Sequence, residues 1–173
     1  MSDERLLSAD MLRRALADLD LRLHRRRLTA DVFVFGGAAM VLGFDARPST
    51  RDVDAVWQPH SAVLEEAWNV AAALELPRSW LNEQASAYLP AGPRTGGAIA
   101  FQGTALRVTL ASPELLLAMK VRAARRGDLA DIRTLAAHLG LVSSDAVLEV
   151  AERVFGEDVA SRQRLAVEDL FDS

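Results

Sequence analysis

The sequence predicts an α+β fold with a small sheet near its front and helices at its back. Short runs of β-branched and aromatic residues occur at Val32–Phe35 and Asp52–Trp57, each followed by Gly or Pro. Helical spacing and capping residues dominate from Ser112 onward. The length of 173 residues fits a single domain, 1–173, which we divide into an α/β core at 28–111 and a helical C-terminal region at 112–173.

The front of the chain alternates helices and strands. The leucines of the first segment are spaced more as in a helix than as in a strand, and Ser8 or Asp10 is suited to cap it. The strand that carries alternating carboxylate and apolar residues stops before Pro59. The predicted elements are a helix at Leu6–Arg27, a strand at Val32–Phe35, a short helix at Ala38–Gly43, a loop at Asp45–Thr50, a strand at Asp52–Trp57 and a helix at Ser61–Leu76 capped by Ser61.

The back of the chain is mostly helical after an irregular stretch at Pro77–Gly97, which is rich in Pro and Gly. Gly103-Thr104 is a plausible hairpin turn. Ser112, Pro113 and Glu114 form a strong helix start, with an N-cap, a proline at the first helical position and an acid near the positive end. The predicted elements are a short helical piece around Trp80–Ala87, strands at Ala98–Gln102 and Ala105–Leu110, and helices from Ser112 to about Arg126, at Leu129–Leu139, at Ser144–Phe155 and at Arg162–Leu170.

The composition restricts the chemistry that the chain can perform. There is no Cys, which excludes a disulfide framework, a thiolate zinc site and a cysteine nucleophile. The three His are scattered without ligand spacing, so catalysis would depend on Asp, Glu, Lys, Arg or hydroxyl groups. No apolar run approaches the roughly 20 residues that span a bilayer, and the N-terminus lacks the apolar region of a signal peptide. We therefore expect a soluble, cytoplasmic protein without a membrane partner.

The formal net charge of −4 is unevenly distributed. Asp145–Ser173 has three Arg against eight acids, a net of −5, whereas Lys120–Arg133 has five basic residues against two Asp, a net of +3. Arg25–Arg27 form a second basic spot. Local positive charge is compatible with an anionic ligand, and a solvated helix face is the simpler alternative.

The segment Val32–Trp57 carries the most specific chemistry. Residues two apart on a strand point to the same face, so Asp52 and Asp54 project together. Adjacent carboxylates repel, and Mg²⁺ or Mn²⁺ is commonly held by one or two carboxylates plus substrate phosphates. The glycines Gly36 and Gly37 let backbone N–H groups approach a phosphate at the N-terminus of the next helix. Taken singly, a Gly-Gly pair also fits a tight turn, and an Asp-x-Asp also fits a solvated strand edge.

This order of strand, Gly-Gly, helix, loop and strand with Asp-x-Asp resembles the first motif of the nucleotidyltransferase superfamily that includes DNA polymerase β-like enzymes. The resemblance covers about Val32–Leu139 and implies a small mixed nucleotidyltransferase-like sheet flanked by helices. It implies an NTP substrate, Mg²⁺ (or Mn²⁺) held by the catalytic Asp52 and Asp54, and transfer of a nucleoside monophosphate to a hydroxyl acceptor. The nucleotide-binding residues that it implies are Gly36, Gly37, Arg47, Thr50 and Arg51, with surface ion pairs as the alternative for the two arginines.

A later segment is similar to the Lys-and-Asp helical segment of AbiEii-like toxins and minimal nucleotidyltransferases. Lys120, the only lysine, and Asp131 are eleven residues apart, within roughly 20° of one helix face at about 100° per residue. The resemblance implies that Lys120 neutralises the triphosphate and that Asp131 orients Lys120 or Arg122. The alternative for Lys120 is an exposed helical lysine, and the alternative for Asp131 is a structural ion pair or a surface acid. It further implies a toxin of a toxin–antitoxin pair, with RNA (tRNA) or protein as acceptor and a cognate antitoxin as partner.

The chain departs from the family pattern in one respect. Active members usually place a third carboxylate on a neighbouring strand, and the candidate strand, Ala105–Leu110, contains no acid. The third acid comes from elsewhere, with Glu83 and Glu114 as the nearest candidates, or the site binds one metal, or catalysis has been lost. The function hypotheses are therefore an enzyme, a catalytically inactive nucleotide- or partner-binding module of the same fold, and a helical structural protein with an incidental Asp-x-Asp.

Overall fold

The computed structural model describes residues 5–172, which form two compact units. Unit 1 comprises the described residues up to Ala87 together with Gly96–Leu110. Unit 2 comprises Tyr88–Thr95 and the described residues from Ala111 onward. Strands and helices alternate in the first unit and helices dominate the second, which confirms the predicted α+β class and its helical C-terminal part.

Unit 1 is built from a sheet and the helices that connect its strands. A 3₁₀ turn at Gln84–Tyr88 lies between the fifth and sixth strands. The elements are β1 (Leu7–Ser8), α1 (Ala9–Arg25), β2 (Ala30–Phe35), α2 (Gly36–Phe44), β3 (Ser49–Thr50), β4 (Val53–Gln58), α3 (His60–Leu74), β5 (Leu81–Asn82), β6 (Gly96–Gln102) and β7 (Leu106–Ala111).

The main sheet is mixed and has the strand order β5–β4–β2–β7–β6. Strand β2 pairs antiparallel with β4 and parallel with β7, and β4 pairs parallel with β5. Strands β1 and β3 form a separate two-stranded sheet. The small mixed sheet flanked by helices is therefore confirmed.

Helix α1 packs against α3, and its buried leucines explain why the first segment is helical. Leu12, Leu16, Leu19 and Leu23 recur every three or four residues and are each at most 2% exposed. Ser8 caps the helix by accepting a hydrogen bond from the backbone N–H of Met11, at 3.3 Å. The predicted helix and one of its two predicted caps are thereby confirmed.

An ion-pair cluster joins the end of α1 to α3. Arg26 donates to Glu65 at 2.9 Å and to Glu66 at 3.0 Å, and Asn69 donates to Glu66 at 3.1 Å. Burial raises the pKa of the Glu66 carboxyl, but the hydrogen bonds from Asn69 and Arg26 outweigh it and hold the pKa below its ordinary value of 4.5. The hydrogen bond to Glu66, followed by that to Glu65, raises the pKa of Arg26. The basic spot at Arg25–Arg27 is thus partly neutralised within the unit.

The turn between β6 and β7 is held by a carboxylate from α1. Asp20 accepts hydrogen bonds from the backbone N–H groups of Ala105 and Leu106, both at 2.8 Å. Gly103 donates its backbone N–H to the carbonyl of Leu106 at 2.8 Å, closing the turn. The predicted pair of strands around Gly103-Thr104 is confirmed.

Unit 2 is helical, and its first helix, α4 (Pro113–Ala123), packs against the three helices that follow it. Leu115, Leu116 and Leu117 are consecutive and almost fully buried, which marks α4 as a helix covered on most sides. Ser112 and Pro113 start it as predicted, with Ser112 accepting from the backbone of Leu115. No helix in residues 5–172 is both long and apolar enough to cross a bilayer. The elements are α4 (Pro113–Ala123), α5 (Leu129–His138), α6 (Ser144–Phe155) and α7 (Ser161–Phe171).

Several local predictions are wrong. Leu7–Ser8, predicted as the start of the first helix, and Ser49–Thr50, predicted as loop, form β1 and β3 because the two segments pair with each other. Ser61 does not cap α3, because the carbonyl of Pro59 already accepts from Val63 and the helix begins at His60. The helical piece around Trp80–Ala87 is a strand followed by a 3₁₀ turn, because Leu81 and Asn82 pair with β4. Helix α4 ends at Ala123 rather than near Arg126, because the next residue adopts a left-handed conformation (φ 42°).

Candidate active site

The carboxylate of Asp54 lies against the first residue of α2. The antiparallel register pairs Phe35 with Asp54, and Gly36 follows Phe35 directly. Gly36 has φ +67°, and a Cβ atom there would lie 2.6 Å from Oδ2 of Asp54. Only glycine combines this left-handed backbone with so close an approach. The Gly-Gly turn therefore admits one carboxylate of the Asp-x-Asp pair to the N-terminal end of a helix.

Two further predicted residues lie beside Gly37. A Cβ atom at this position would be 2.9 Å from Oγ1 of Thr50 and 3.5 Å from Nη1 of Arg47. Thr50 is 8% exposed and is held by the pairing of β3 with β1, in register with Leu7. The N-terminal end of α2 is thus surrounded by a carboxylate, a hydroxyl and a guanidinium group.

Asp52 immediately precedes β4 and is fixed from two sides. The hydroxyl of Thr50 donates to its backbone carbonyl at 3.1 Å, and Nδ2 of Asn82 donates to its Oδ2 at 2.9 Å. Val53 between the two aspartates is 2% exposed, whereas both aspartates are half-buried. This alternation agrees with the predicted common face of Asp52 and Asp54.

Three predicted residues remain: Arg51 and Glu83 in unit 1, and Glu114 in unit 2. Arg51 is exposed. Glu83, a candidate third acid, is 2.9 Å from Nε2 of His60, whose ring stacks on Trp57 with centroids 5.6 Å apart. Glu83 is therefore engaged with a histidine and not with the aspartate pair. Glu114, the other candidate, lies in the first turn of α4 in unit 2.

The strand expected to supply the third acid, Ala105–Leu110, does not adjoin the strand with the aspartates. Strand β7 pairs with β2, whereas the neighbours of β4 are β2 and β5. The residue of β5 in register with Asp54 is Asn82. Sequence reasoning assigned no role to Asn82, although a polar residue directly after the buried Trp80-Leu81 was a usable signal.

Lys120 and Asp131 contact each other within unit 2. The Nζ atom of Lys120 lies 2.8 Å from Oδ1 of Asp128 and 3.0 Å from Oδ2 of Asp131. The side chains are 11%, 10% and 2% exposed, so the alternative of an exposed lysine is wrong. The two residues do not share one helix face, because the chain turns at Ala124 and places them on α4 and α5. The cluster has a second acid, Asp128, which the helical spacing also placed close to Lys120 and Asp131.

The donor set around the aspartate pair fits one hard divalent cation. Asp52 and Asp54 supply carboxylate oxygens, the ligands that Mg²⁺ prefers, and substrate phosphates commonly complete such a site. Within residues 5–172 no three His, Asp or Glu side chains come together as a metal-binding group. The fit therefore depends on the two aspartates, with Asn82 and Thr50 holding one of them.

A Gly-Gly turn that opens a short helix, joined in a mixed sheet to an antiparallel strand with paired aspartates, defines a nucleotidyltransferase-type unit. A family model described as nucleotidyltransferase of unknown function (DUF6036) matches residues 10–152, and the chain belongs to this family. Comparisons with curated proteins and with solved structures found no match. The family assignment implies a nucleotide substrate.

Proposed function

We propose that this protein transfers a nucleoside monophosphate from an NTP to a hydroxyl acceptor in a reaction that depends on Mg²⁺ (or Mn²⁺). One observation carries the proposal: the carboxylate of Asp54 lies at the N-terminal end of α2, where the Cβ atom of any larger residue in place of Gly36 would lie 2.6 Å from its Oδ2. The family assignment supports the same class of reaction.

The triphosphate would bind around Gly36 and Gly37. Backbone N–H groups at a helix N-terminus favour negative charge, so the first turn of α2 suits phosphate oxygens. The guanidinium group of Arg47 next to Gly37 adds a fixed positive charge, and a planar guanidinium matches phosphate geometry. Thr50 supplies a hydroxyl at the same place.

Asp52 and Asp54 would hold the divalent cation. When bound, the cation neutralises phosphate oxygens and stabilises charge that develops at the α-phosphorus. Asn82 and Thr50 keep Asp52 in place before substrate arrives, because they hold both its carboxylate and its backbone carbonyl. Such preorganisation spares the site a reorganisation during the reaction.

The bond changes follow an in-line displacement. The acceptor oxygen bonds to the α-phosphorus, and the bond from that phosphorus to its bridging oxygen breaks, with the electron pair leaving on pyrophosphate. The hydroxyl proton passes to a carboxylate oxygen of the aspartate pair. The two aspartates thus carry both the cation and the proton acceptor.

The resemblance to AbiEii-like toxins extends this proposal to a toxin that modifies tRNA or a protein and is controlled by a cognate antitoxin. Its support is the net of +3 over Lys120–Arg133, which suits a polyanionic acceptor. The acceptor is identified by incubating the protein with Mg²⁺ and each [α-³²P]NTP in turn, with and without total tRNA. Label on tRNA supports a tRNA acceptor, and label on protein supports a protein acceptor.

Asp52→Ala and Asp54→Ala should each lower label transfer at least about 100-fold, because each removes a ligand and a proton acceptor. Asp31→Ala is the matched control, since Asp31 is an exposed carboxylate on β2 of the same sheet. It should keep wild-type transfer. Circular dichroism of all three variants should give folded spectra. Undiminished transfer in both site variants would overturn the proposal.

A catalytically inactive nucleotide- or partner-binding module is the second candidate. The observation that favours it is Asn82, an amide in register with Asp54 on the strand next to β4. Binding of Mg²⁺-NTP without transfer to any acceptor would select this function. Both candidates require the same aspartate pair, so loss of NTP binding in Asp54→Ala is expected for each.

A further inference from the structure

Asn82 lies next to the aspartate pair and holds Asp52, and its amide also bears on how many cations the pair can bind. It lies on β5, in register with Asp54 and hydrogen-bonded to Asp52. The residue is 9% exposed, so its amide is largely removed from water. A buried polar group is retained where its hydrogen bonds are satisfied, and Asn82 meets that condition.

The orientation of the Asn82 amide is fixed by its partners. Its Nδ2 donates to Oδ2 of Asp52 at 2.9 Å and to the carbonyl of Ser79 at 3.2 Å, and both partners accept only. Its Oδ1 accepts from the backbone N–H of Gln84 at 3.1 Å, and that partner donates only. The reverse orientation would lose all three bonds. The amide can therefore serve Asp52 only as a donor.

A carboxylate at position 82 would have the opposite effect. It would bring an oxygen without a hydrogen to within about 3 Å of Oδ2 of Asp52, and it would add a negative charge in register with Asp54. The number of carboxylates at the site would rise from two to three, and its negative charge would increase accordingly. Asn82 donates to Asp52 and adds no charge beside the aspartate pair, whereas an acid would add a third carboxylate, an oxygen ligand for a second cation.

We propose that Asn82 is a positioning residue that fixes the carboxylate of Asp52 and confines the aspartate pair to a single divalent cation. The inference depends on the proposed function, because it assigns the cation count of the same site. Residues that hold a metal ligand from outside typically change metal affinity or activity about 10-fold to 100-fold when removed. Asn82→Ala should therefore weaken cation binding by about that factor.

The experiment titrates Mn²⁺ alone against the whole protein and follows free Mn²⁺ by electron paramagnetic resonance. Wild type should bind one ion, Asn82→Ala one ion at least about 10-fold more weakly, and the isosteric Asn82→Asp two ions. Asn69→Ala is the matched control, because it removes a hydrogen bond that a side-chain amide donates to the carboxylate of Glu66, a residue of α3 and not of the aspartate pair. It should bind Mn²⁺ as wild type does.

Wild-type binding of no ion or of two ions would overturn the inference, as would wild-type affinity in a folded Asn82→Ala. If Asn82→Ala does not fold, Asn82→Asp decides: a second ion supports the inference, and one ion contradicts it. Label transfer, measured in parallel, separates the two proposals. Transfer by wild type with unchanged Mn²⁺ affinity in Asn82→Ala contradicts the role of Asn82 alone, whereas the expected Mn²⁺ pattern without any transfer contradicts the reaction alone.

Discussion

At the residue scale, two features favour glycine at position 36. Its backbone is left-handed (φ +67°), and the carboxylate of Asp54 lies where a side chain would begin. Gly36→Ala should lower the stability of the protein by about 1–2 kcal/mol from the left-handed backbone alone. It should also displace the carboxylate, since the added Cβ would lie 2.6 Å from Oδ2. A displacement of about 1 Å costs up to about 100-fold in rate, so label transfer should fall by at least about 10-fold. Thermal unfolding and initial transfer rates check both effects.

Gly140→Ala is the control for the backbone component of this prediction. Gly140 has φ +70°, close to the +67° of Gly36, but a Cβ atom there has no neighbour within 4 Å. Both variants should lose stability through the same backbone strain, and only Gly36→Ala should lose transfer. Equal transfer rates in the two variants would contradict a role for the Gly36–Asp54 contact.

The residues that could be predicted from the sequence are those with a local signature. Gly36, Gly37, Asp52 and Asp54 lie in a continuous pattern of strand, turn and strand, and the structure brings Gly36 and Asp54 into contact. Asn82 has a weaker local signature, a polar residue directly after Trp80-Leu81, and its hydrogen bond to Asp52, thirty residues away, depends on the pairing of β5 with β4. Pairings of that kind depend on sheet order, which no local pattern encodes.

At the element scale, the ion cluster of Lys120, Asp128 and Asp131 connects α4 to α5. Lys120→Met would remove the ammonium group that the buried Asp128 and Asp131 share, and removing one partner of a buried pair typically costs about 3–5 kcal/mol. The structural ion pair that the sequence allowed as an alternative thus predicts a large loss of unfolding free energy. Urea denaturation of wild type and variant measures it.

Arg122→Met on the same helix is the comparison for Lys120→Met. Arg122 pairs with Glu157, but the side chains are 52% and 59% exposed, and an exposed pair contributes less than about 1 kcal/mol. The urea midpoint should therefore shift far less than for Lys120→Met. If Lys120→Met unfolds as wild type does but transfers no label, the catalytic role implied by the resemblance holds instead of the structural one.

Elements with strong local signals were predicted well. Helix α6 has the predicted bounds, Ser144–Phe155, because its apolar spacing and the Ser143 cap agree. Strand β5 was predicted as helix because it is only two residues long and forms through pairing with β4. The eleven-residue spacing of Lys120 and Asp131 predicted a shared face of one helix, which is wrong, since their contact crosses a turn between two helices.

At the scale of the whole molecule, the composition limits which charged groups can form ionic interactions. A chain without Cys and with scattered His has only carboxylates, guanidinium groups and one ammonium group for its charged chemistry. The structure uses them in two clusters in which one cation lies between two acids: the buried cluster of Lys120 with Asp128 and Asp131, and the partly exposed cluster of Arg26 with Glu65 and Glu66. Each joins consecutive or packed helices within one unit. In the Arg26 cluster, the lowered pKa of Glu66 makes global stability depend on pH.

Glu66 gives that dependence a direction. Its pKa in the folded protein is below the ordinary value of 4.5, because hydrogen bonds from Asn69 and Arg26 outweigh the effect of burial. A depressed pKa means that the stabilisation is complete above about pH 4.5 and is lost as the pH falls through the folded value. Glu66→Gln removes it, so the variant should be about 1–2 kcal/mol less stable than wild type at pH 7 and closer to wild type at acid pH.

Urea denaturation of wild type, Glu66→Gln and Glu65→Gln at pH 7 and near pH 3 tests this dependence. Glu65 bonds the same Arg26 at 2.9 Å but is 61% exposed, so Glu65→Gln should change stability by less than about 1 kcal/mol at pH 7. The gap between wild type and Glu66→Gln should narrow on acidification because the wild-type carboxyl becomes neutral and loses its interaction with Arg26. A gap that stays constant or widens toward pH 3 would show that Glu66 contributes through packing rather than through charge.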